Sequence, residues 1–477
     1  MKWFKIVGLL LAVSIYQRAE GQTVTVTWTK TYQTIDGFGA YDAVNFFNTS
    51  SSVLQQLFSP TSGVGLSILR ESVPDNSSLN NNTDPAGSCA TVNSGCANIS
   101  AELSYAAAQG VRIFATPWSP PASMKSNSSV YCDTGSGSNG VLNSSSYGAY
   151  ATWLSNYIAS LSQAGINLYA LSVQNEPDTC PSDYGGATWT AADYDTFIRT
   201  NLGPTLTSAG QTSTLIAMPE SGGYPADAPY GGGLHTGMDS YATNCIDDSS
   251  CAQYVSICAT HDYEENYPYQ PAADTLCANA GKRLWQTEVY NGTSFDGSMT
   301  DGLIWAQQIQ YWLVNANANA WLWWEIFSPY SDNEPLYDPS SGEPSKRLFV
   351  IGQWSKFVRP GWMRIDATAS PQSGVYVSAF KNSSTGAFAI IAVNTNTNGL
   401  SQTFSLAGFP AVTTVTPTLT SSGVNLTAQT GVNVSSNAFS YMLPGQSVTT
   451  FVSTASGSSS GAPVAPAPPG SLRATVE

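Results

Sequence analysis

Residues 168–178 read LYALSVQNEPD. Apolar β-formers run to Val173, and Asn175, Pro177 and Asp178 then bring the run to a stop. Glu176 therefore falls where a buried strand gives out, with a proline behind it to turn the chain. Glu288 stands in the same position at the end of KRLWQTEV, residues 282–289. GVGLSILR (63–70), GVRIFATPW (110–118), STLIAMPE (213–220) and NAWLWWEIF (319–327) repeat the strand-like pattern and end in a polar or aromatic residue. Amphipathic helical stretches separate them: ISAELSYAAAQ (99–109), YGAYATWLSNYIASLSQA (147–164) and DGLIWAQQIQYWLVNA (301–316). Alternating strands and helices imply an α/β chain with a parallel sheet. This many units between residues 36 and 360 predict a (β/α)8 TIM barrel. An open doubly wound sheet is the structural rival, but DGFGAYDA (36–43) lacks the glycine spacing of a phosphate-binding turn.

Outside that span the texture changes. GVYVSAFKNSSTGAFAIIAVNTNTNGLSQTFSLAGF (374–409) and NAFSYMLPGQSVTTFVS (437–453) alternate apolar and polar residues between Asn, Gly and Ser turns. Residues 361–453 are thus expected to form an antiparallel β-sandwich domain beside the barrel. TVTVTWTKTYQTIDG (23–37) alternates likewise, so residues 22–35 are assigned to the same domain, which then draws on both chain ends. Residues 454–477 read as a Ser/Gly then Pro/Ala linker or tail.

Composition narrows the function. The 477-residue chain holds 32 acidic against 17 basic residues, a net charge of −15, so a nucleic-acid partner is not expected. Residues 1–21 carry Lys2 and Lys5, an apolar run from Ile6 to Tyr16 and Ala19-Glu20-Gly21. They read as a signal peptide cleaved before Gln22, and the run is too short to span a bilayer. A secreted monomer with no membrane partner is the expectation. Eight cysteines in an oxidising compartment should mostly pair. Proximity suggests 89–96 and 245–251, with 132–180 and 258–277 as the remainder; eight cysteines allow about 105 pairings. The chain has no C-x-x-C and only two histidines, so neither a metal site nor any other cofactor is expected. Asn76, Asn291 and Asn425 open glycosylation sequons.

Glu176 and Glu288 lie 112 residues apart, about three barrel units plus an insertion, which assigns them to barrel strands four and seven. Either alone is an ordinary loop-start carboxylate; as a pair at the barrel mouth they fit the two carboxyls of a glycosidase. Asn175 can donate to a sugar 2-hydroxyl. An uncharged, aromatic-rich setting should raise the pKa of the acid. Trp118, Trp285, Trp323 and Trp324 are candidate sugar-stacking walls; Trp118 and Trp324 stand at strand ends, where that role fits, whereas Trp285, in mid-strand, reads as core. His261, beside Tyr263 in ATHDYEE (259–265), reads as a hydrogen-bonding residue of the site, not a general base; His235 reads as a loop residue. Arg70 either positions a carboxylate or forms a structural ion pair.

GFGAYDA, LSILR, TPWSPPASMK, LYALSVQNEPD, LWQTEVY, AWLWWEI and GQWSKFVRPGWMRIDAT follow one another in an order that resembles glycoside hydrolase family 30. The likeness covers residues 24–453 and is greatest to its bacterial glucuronoxylanase branch. It implies a (β/α)8 barrel with a side β-sandwich, retaining hydrolysis of a β-glycan and no metal. Glu176 matches the acid/base position and Glu288 the nucleophile. Trp118, Asn175, His261, Tyr263, Tyr290 and Trp324 match positions lining the glycone subsite. The expected reaction is endo-β-1,4-xylanase cleavage of xylan, a polysaccharide partner. A β-1,6-galactanase or other β-glycanase and a non-catalytic carbohydrate-binding protein are the alternatives. In WWEIFSPYSDNEPLYD (323–338), Phe327 and Ser328 stand where the branch carries arginines that hold glucuronate. Glu325, Asp332, Glu334 and Asp338 add negative charge there. Phe46 or Phe47 replaces a tryptophan usual in the branch.

Overall fold

The computed structural model describes residues 22–42, 50–74, 101–224, 237–263, 266–328 and 330–453. The signal peptide, the tail, the proposed 89–96 disulfide, the Asn76 sequon, Phe46, Phe47 and His235 lie outside them. Strand β1 (Val24–Thr34) precedes eight strands that close a parallel barrel: β2 (Gly37–Tyr41), β3 (Ile68–Val73), β4 (Arg112–Pro117), β5 (Leu168–Ser172), β6 (Leu215–Ser221), β7 (Val255–His261), β8 (Arg283–Glu288) and β9 (Ala320–Glu325). A helix follows each barrel strand, among them Tyr147–Gln163, Met299–Tyr311 and Lys346–Ser355. No helix is long and apolar enough to cross a membrane among the described residues.

The barrel interior explains why these strands close. Trp285 is fully buried there, with Ile68, Phe114, Ile257 and Leu322 around it and Ala170, Ala217, Ala259 and Ala320 leaving room for its ring. Its indole donates to Asp36 at 2.9 Å, and Asp36 also meets Arg112 at 2.7 Å. Large and small residues thus alternate around one plug, as a closed eight-stranded barrel requires. Gly39 serves the same closure, since a β-carbon there would lie 2.2 Å from the Ile68 carbonyl oxygen.

Two differences from the sequence reading have physical causes. Strand β5 ends at Ser172, so Glu176 sits four residues beyond it on the following loop. The apolar pattern also leaves β2 unmarked, and it marks β7 only by the strand end at His261. Two glycines thin the apolar signal of the first, and Ser256, Cys258 and Thr260 dilute the second.

Strand β1 pairs antiparallel with Met363–Ala367 and parallel with Leu400–Ala407, putting Val24 and Val26 into the sandwich core with Phe404, Phe439 and Phe451. Strand Phe388–Asn394 is buried along its whole length. Its Phe388, Ile390 and Ala392 enter that core, while Ala389, Ile391 and Val393 join the barrel's cluster. This is why FAIIAVN lacks the alternation of its neighbours. Gln310, on helix Met299–Tyr311, donates to the Val377 carbonyl at 2.8 Å. Gln353, on Lys346–Ser355, donates to Thr420 at 2.8 Å, which completes the seam between the two parts. Disulfides join Cys132–Cys180, Cys245–Cys251 and Cys258–Cys277, matching three of the four suggested pairs.

Candidate active site

All eight barrel strands deliver a polar or aromatic group to the same end. Tyr41 closes β2, Arg70 and Thr116 lie in β3 and β4, and Glu220 lies in β6. His261 ends β7, Glu288 ends β8 and Glu325 ends β9. Asn175 and Glu176 come from the loop after β5. The Asn175 amide donates to the Pro117 carbonyl at 2.8 Å and that of Glu176 to the Glu220 carbonyl at 2.9 Å, so the loop is tied to both neighbouring strands. Glu176 and Glu220 both take positive φ, 45° and 61°. Such angles are costly for residues with a β-carbon and collect at functional sites.

Arg70 is the hub. It is fully buried and gives one nitrogen to Glu288 Oε2. The other nitrogen binds Asn175 Oδ1 at 2.7 Å and lies 3.1 Å from Glu220 Oε1. Thr116 donates to Glu220 Oε2 at 2.8 Å. Burial works against the guanidinium's charge, but Glu220 and Glu288 more than offset it, and its pKa rises. With Asn175 Oδ1 committed to Arg70, the amide nitrogen is left as the group that can meet a ligand.

One oxygen each of Glu176 and Glu288, with a nitrogen of His261, lie within 4.8 Å of one another. His261 Nδ1 is 3.1 Å from Glu176 Oε1 and 3.5 Å from Glu288 Oε1. Tyr184 donates to Glu176 Oε2 and Tyr263 to Glu288 Oε1, both at 2.6 Å. A cluster this compact would admit a cation, but the Arg70 guanidinium already bonds Glu288, and both carboxylates accept hydroxyl hydrogens. Its chemistry is that of carboxylates sharing protons.

The electrostatics reverse one expectation. Burial pushes Glu176 up, yet the hydrogen bond and charge of His261, with Tyr184 and Arg70, hold its carboxyl below the ordinary value. Glu288 is raised, by burial first and by the Glu176 charge, against the pull of His261 and Arg70. His261 is raised as well: burial lowers it, but Glu288 and Glu176 outweigh burial. Aromatic surroundings alone suggested a raised pKa at Glu176; the specific donors aimed at it win.

The comparisons with known proteins agree with this architecture. The O-Glycosyl hydrolase family 30 profile matches residues 101–337, and the Glycosyl hydrolase family 30 beta sandwich domain matches 361–451. Glucuronoxylanase XynC of Bacillus subtilis (strain 168) is 34% identical over 346 residues, covering 72% of this chain and 74% of its own. The chain belongs to glycoside hydrolase family 30. Two solved structures are similar across 91% of this chain and 100% of their own. The family 30 subfamily 8 xylanase Xyn30A of Clostridium acetobutylicum has a TM-score of 0.75 at 32% identity. A GH30 endoxylanase of Clostridium papyrosolvens C71 has 0.73 at 30%.

Within this family 30 site, the aromatic residues divide by exposure. Trp118 is only 5% exposed, and its ring lies 4.7 Å from the Arg70 guanidinium carbon. Its position corrects the picture of an open stacking wall: it helps hold Arg70. Trp324 stacks on Tyr41 at 4.8 Å and is half-buried, leaving part of its ring for a ligand. Tyr290, also half-buried, meets Tyr263 edge-on at 5.5 Å and hydrogen-bonds Glu334. Trp285 is core, as its mid-strand position suggested.

Tyr41, Thr116, Tyr184 and Glu220 were missed as site residues. Glu220 carried a usable signal, since STLIAMPE ends in glutamate as LYALSVQNE does. Tyr184 carried none; Cys180, four residues before it, is tied to Cys132, and the loop between Glu176 and Tyr184 turns the ring back onto Glu176.

Where the glucuronoxylanase branch resemblance implies arginines, Phe327 stacks on Tyr337 at 4.9 Å and Ser328 donates to Glu334 at 3.1 Å. Burial, then Glu334, drives the Glu325 carboxyl well above its usual range, whereas the hydrogen bonds that Asp338 accepts from Ser340 hold it below its usual value and charged.

Proposed function

We propose that this chain is a secreted, retaining endo-β-1,4-xylanase that does not require glucuronate side groups. Glu288 is the nucleophile and Glu176 the acid/base. The spacing of the two carboxylates carries the reading, with oxygens inside 4.8 Å of one another. Retaining glycosidases hold theirs about 5–5.5 Å apart, whereas inverting enzymes leave about 6.5–9.5 Å for a water. In the first half-reaction Glu288 attacks the anomeric carbon as Glu176 protonates the departing oxygen. In the second, Glu176 takes a proton from water, which releases the sugar from Glu288.

Arg70 and Tyr263 support the nucleophile role. Their hydrogen bonds to Glu288 hold both carboxylate oxygens in place and favour the anion. Asn175, with its oxygen turned to Arg70, donates to the sugar 2-hydroxyl. Trp324 and Tyr290 flank the glycone sugar, Tyr263 and His261 border it through the carboxylates, and Trp118 acts through Arg70. Three disulfides support an oxidising, extracytoplasmic location. The enzyme acts as a monomer on a polysaccharide and uses no cofactor.

Glucuronate independence rests on Phe327, Ser328 and Glu334. A carboxylate-bearing side group would find a serine and an acid there, without a bidentate cation. Digestion of glucuronoxylan and arabinoxylan, with products identified by mass, tests this. Both polymers should yield oligosaccharides. Cleavage always at one fixed distance from each glucuronate would overturn the independence. Hydrolysis of β-1,6-glucan or β-1,6-galactan in place of xylan would overturn the substrate.

A further inference from the structure

A double displacement needs Glu176 protonated when the leaving group departs and ionised when water attacks. The donors around Glu176 favour the ionised state. Glu176 Oε2 accepts from Tyr184 at 2.6 Å and Oε1 faces His261 Nδ1 at 3.1 Å. Both carboxylates facing Nδ1 present acceptors, so this nitrogen carries its hydrogen. His261 is fully buried and is the group in hydrogen-bond reach of Glu176 whose ordinary pKa, about 6.5, suits proton exchange near neutrality. Among the described residues, the charges that act on it are those of Glu288 on β8, Glu176 after β5 and Arg70 on β3, and the Tyr184 and Tyr263 hydroxyls donate to the two carboxylates. Two carboxylates at Nδ1, against one guanidinium, leave a place for one more positive charge.

We propose that His261 stores, as an imidazolium, the proton that Glu176 delivers to the leaving group. This rests on the reading of Glu288 as nucleophile and Glu176 as acid/base. The cost is at Nε2, which is buried without an acceptor among the described residues; two anions at Nδ1 offset it. The timing follows from Glu288. As Glu288 bonds the anomeric carbon its charge disappears, and with it much of what holds the imidazolium proton 3.5 Å away. The Nδ1–H bond then breaks, its electron pair stays on nitrogen, and the proton passes to the Glu176 carboxylate, which hands it to the departing oxygen and is left ionised for the second step. When water releases the sugar, Glu176 takes the water's proton and Glu288 regains its charge. That charge draws the proton back to Nδ1. No proton is gained or lost by the enzyme over the cycle.

The chain has only two histidines, so a His235→Gln background isolates His261 in nitrogen NMR. In the free enzyme both ring nitrogens should stay protonated to well above pH 6.5. Esterifying Glu288 with a 2-fluoro-xylobioside should lower that midpoint by more than one pH unit. A neutral ring at pH 5 in the free enzyme, or a midpoint unmoved by esterification, would overturn the proposal. Failure of the fluoro-sugar to label Glu288 would instead bring down the nucleophile reading, and the proposal with it. His261→Asn keeps a donor to Glu176 but cannot titrate. It should move the alkaline limb of kcat/KM down by about one pH unit at an unchanged thermal midpoint, whereas a merely structural histidine would leave the limb in place.

Discussion

Glu176 and Glu288 are separated less by their own chemistry than by what donates to them. Glu288 is held by a guanidinium and a phenol, Glu176 by an imidazole and a phenol. Replacing each by glutamine keeps the shape and should separate the two roles. Glu176→Gln should lose about 10²–10⁴-fold in kcat/KM on xylan, the usual worth of general acid–base catalysis. It should lose far less on an aryl xyloside whose acidic phenol needs no proton to leave. Glu288→Gln should be inactive on both. Equal losses for the two variants on both substrates would refute the division. The sequence made both glutamates visible, because strand ends are visible. It could not order their pKa values, because Tyr184 folds back along the loop that carries Glu176 and His261 reaches in from the end of β7.

At the scale of elements, closure of the barrel depends on how near β2 can come to β3. Gly39→Ala would put a β-carbon 2.2 Å from the Ile68 carbonyl oxygen, a contact that backbone cannot yield cheaply. The expected cost is about 1–3 kcal/mol, read as a lower urea midpoint. An unchanged midpoint would mean that the strand pair relaxes without loss. Of the strands that were legible, β5 is a continuous apolar run that ends in a polar residue, and β8 is marked by Leu284-Trp285 ahead of its polar end. Those with little apolar signal, β2 and β7 (the latter read only from its end at His261), owe their place to neighbours: close packing on Ile68 for one, and pairing with β6 and β8 for the other.

For the whole molecule, the acid-rich composition meets a specific buried group. Asp42 follows β2, hydrogen-bonds Glu71, and is raised to about 7 by burial first and then by the Glu102 charge. A carboxyl raised in the folded state binds more protons there than in the unfolded chain between pH 4 and 7. Stability should therefore fall as pH rises through that window, and the loss is complete above it. Asp42→Asn should flatten the decline of thermal midpoint between pH 5 and 8; an unaltered slope would exclude Asp42 as its source. Residue order alone determined that strands alternate with helices, that a β-domain follows, and that two glutamates stand at or just past the ends of barrel strands. These are local facts of periodicity and turn chemistry. Tertiary structure decided that Phe388–Asn394 is buried on both faces, because the barrel covers the one the sandwich does not. It also decided that Arg70 ties Glu288, Asn175 and Glu220 into one network and that His261 stands between the two carboxylates. Charge and hydrogen bonding act through space, and closing the barrel is what brings residues more than a hundred positions apart within 4 Å.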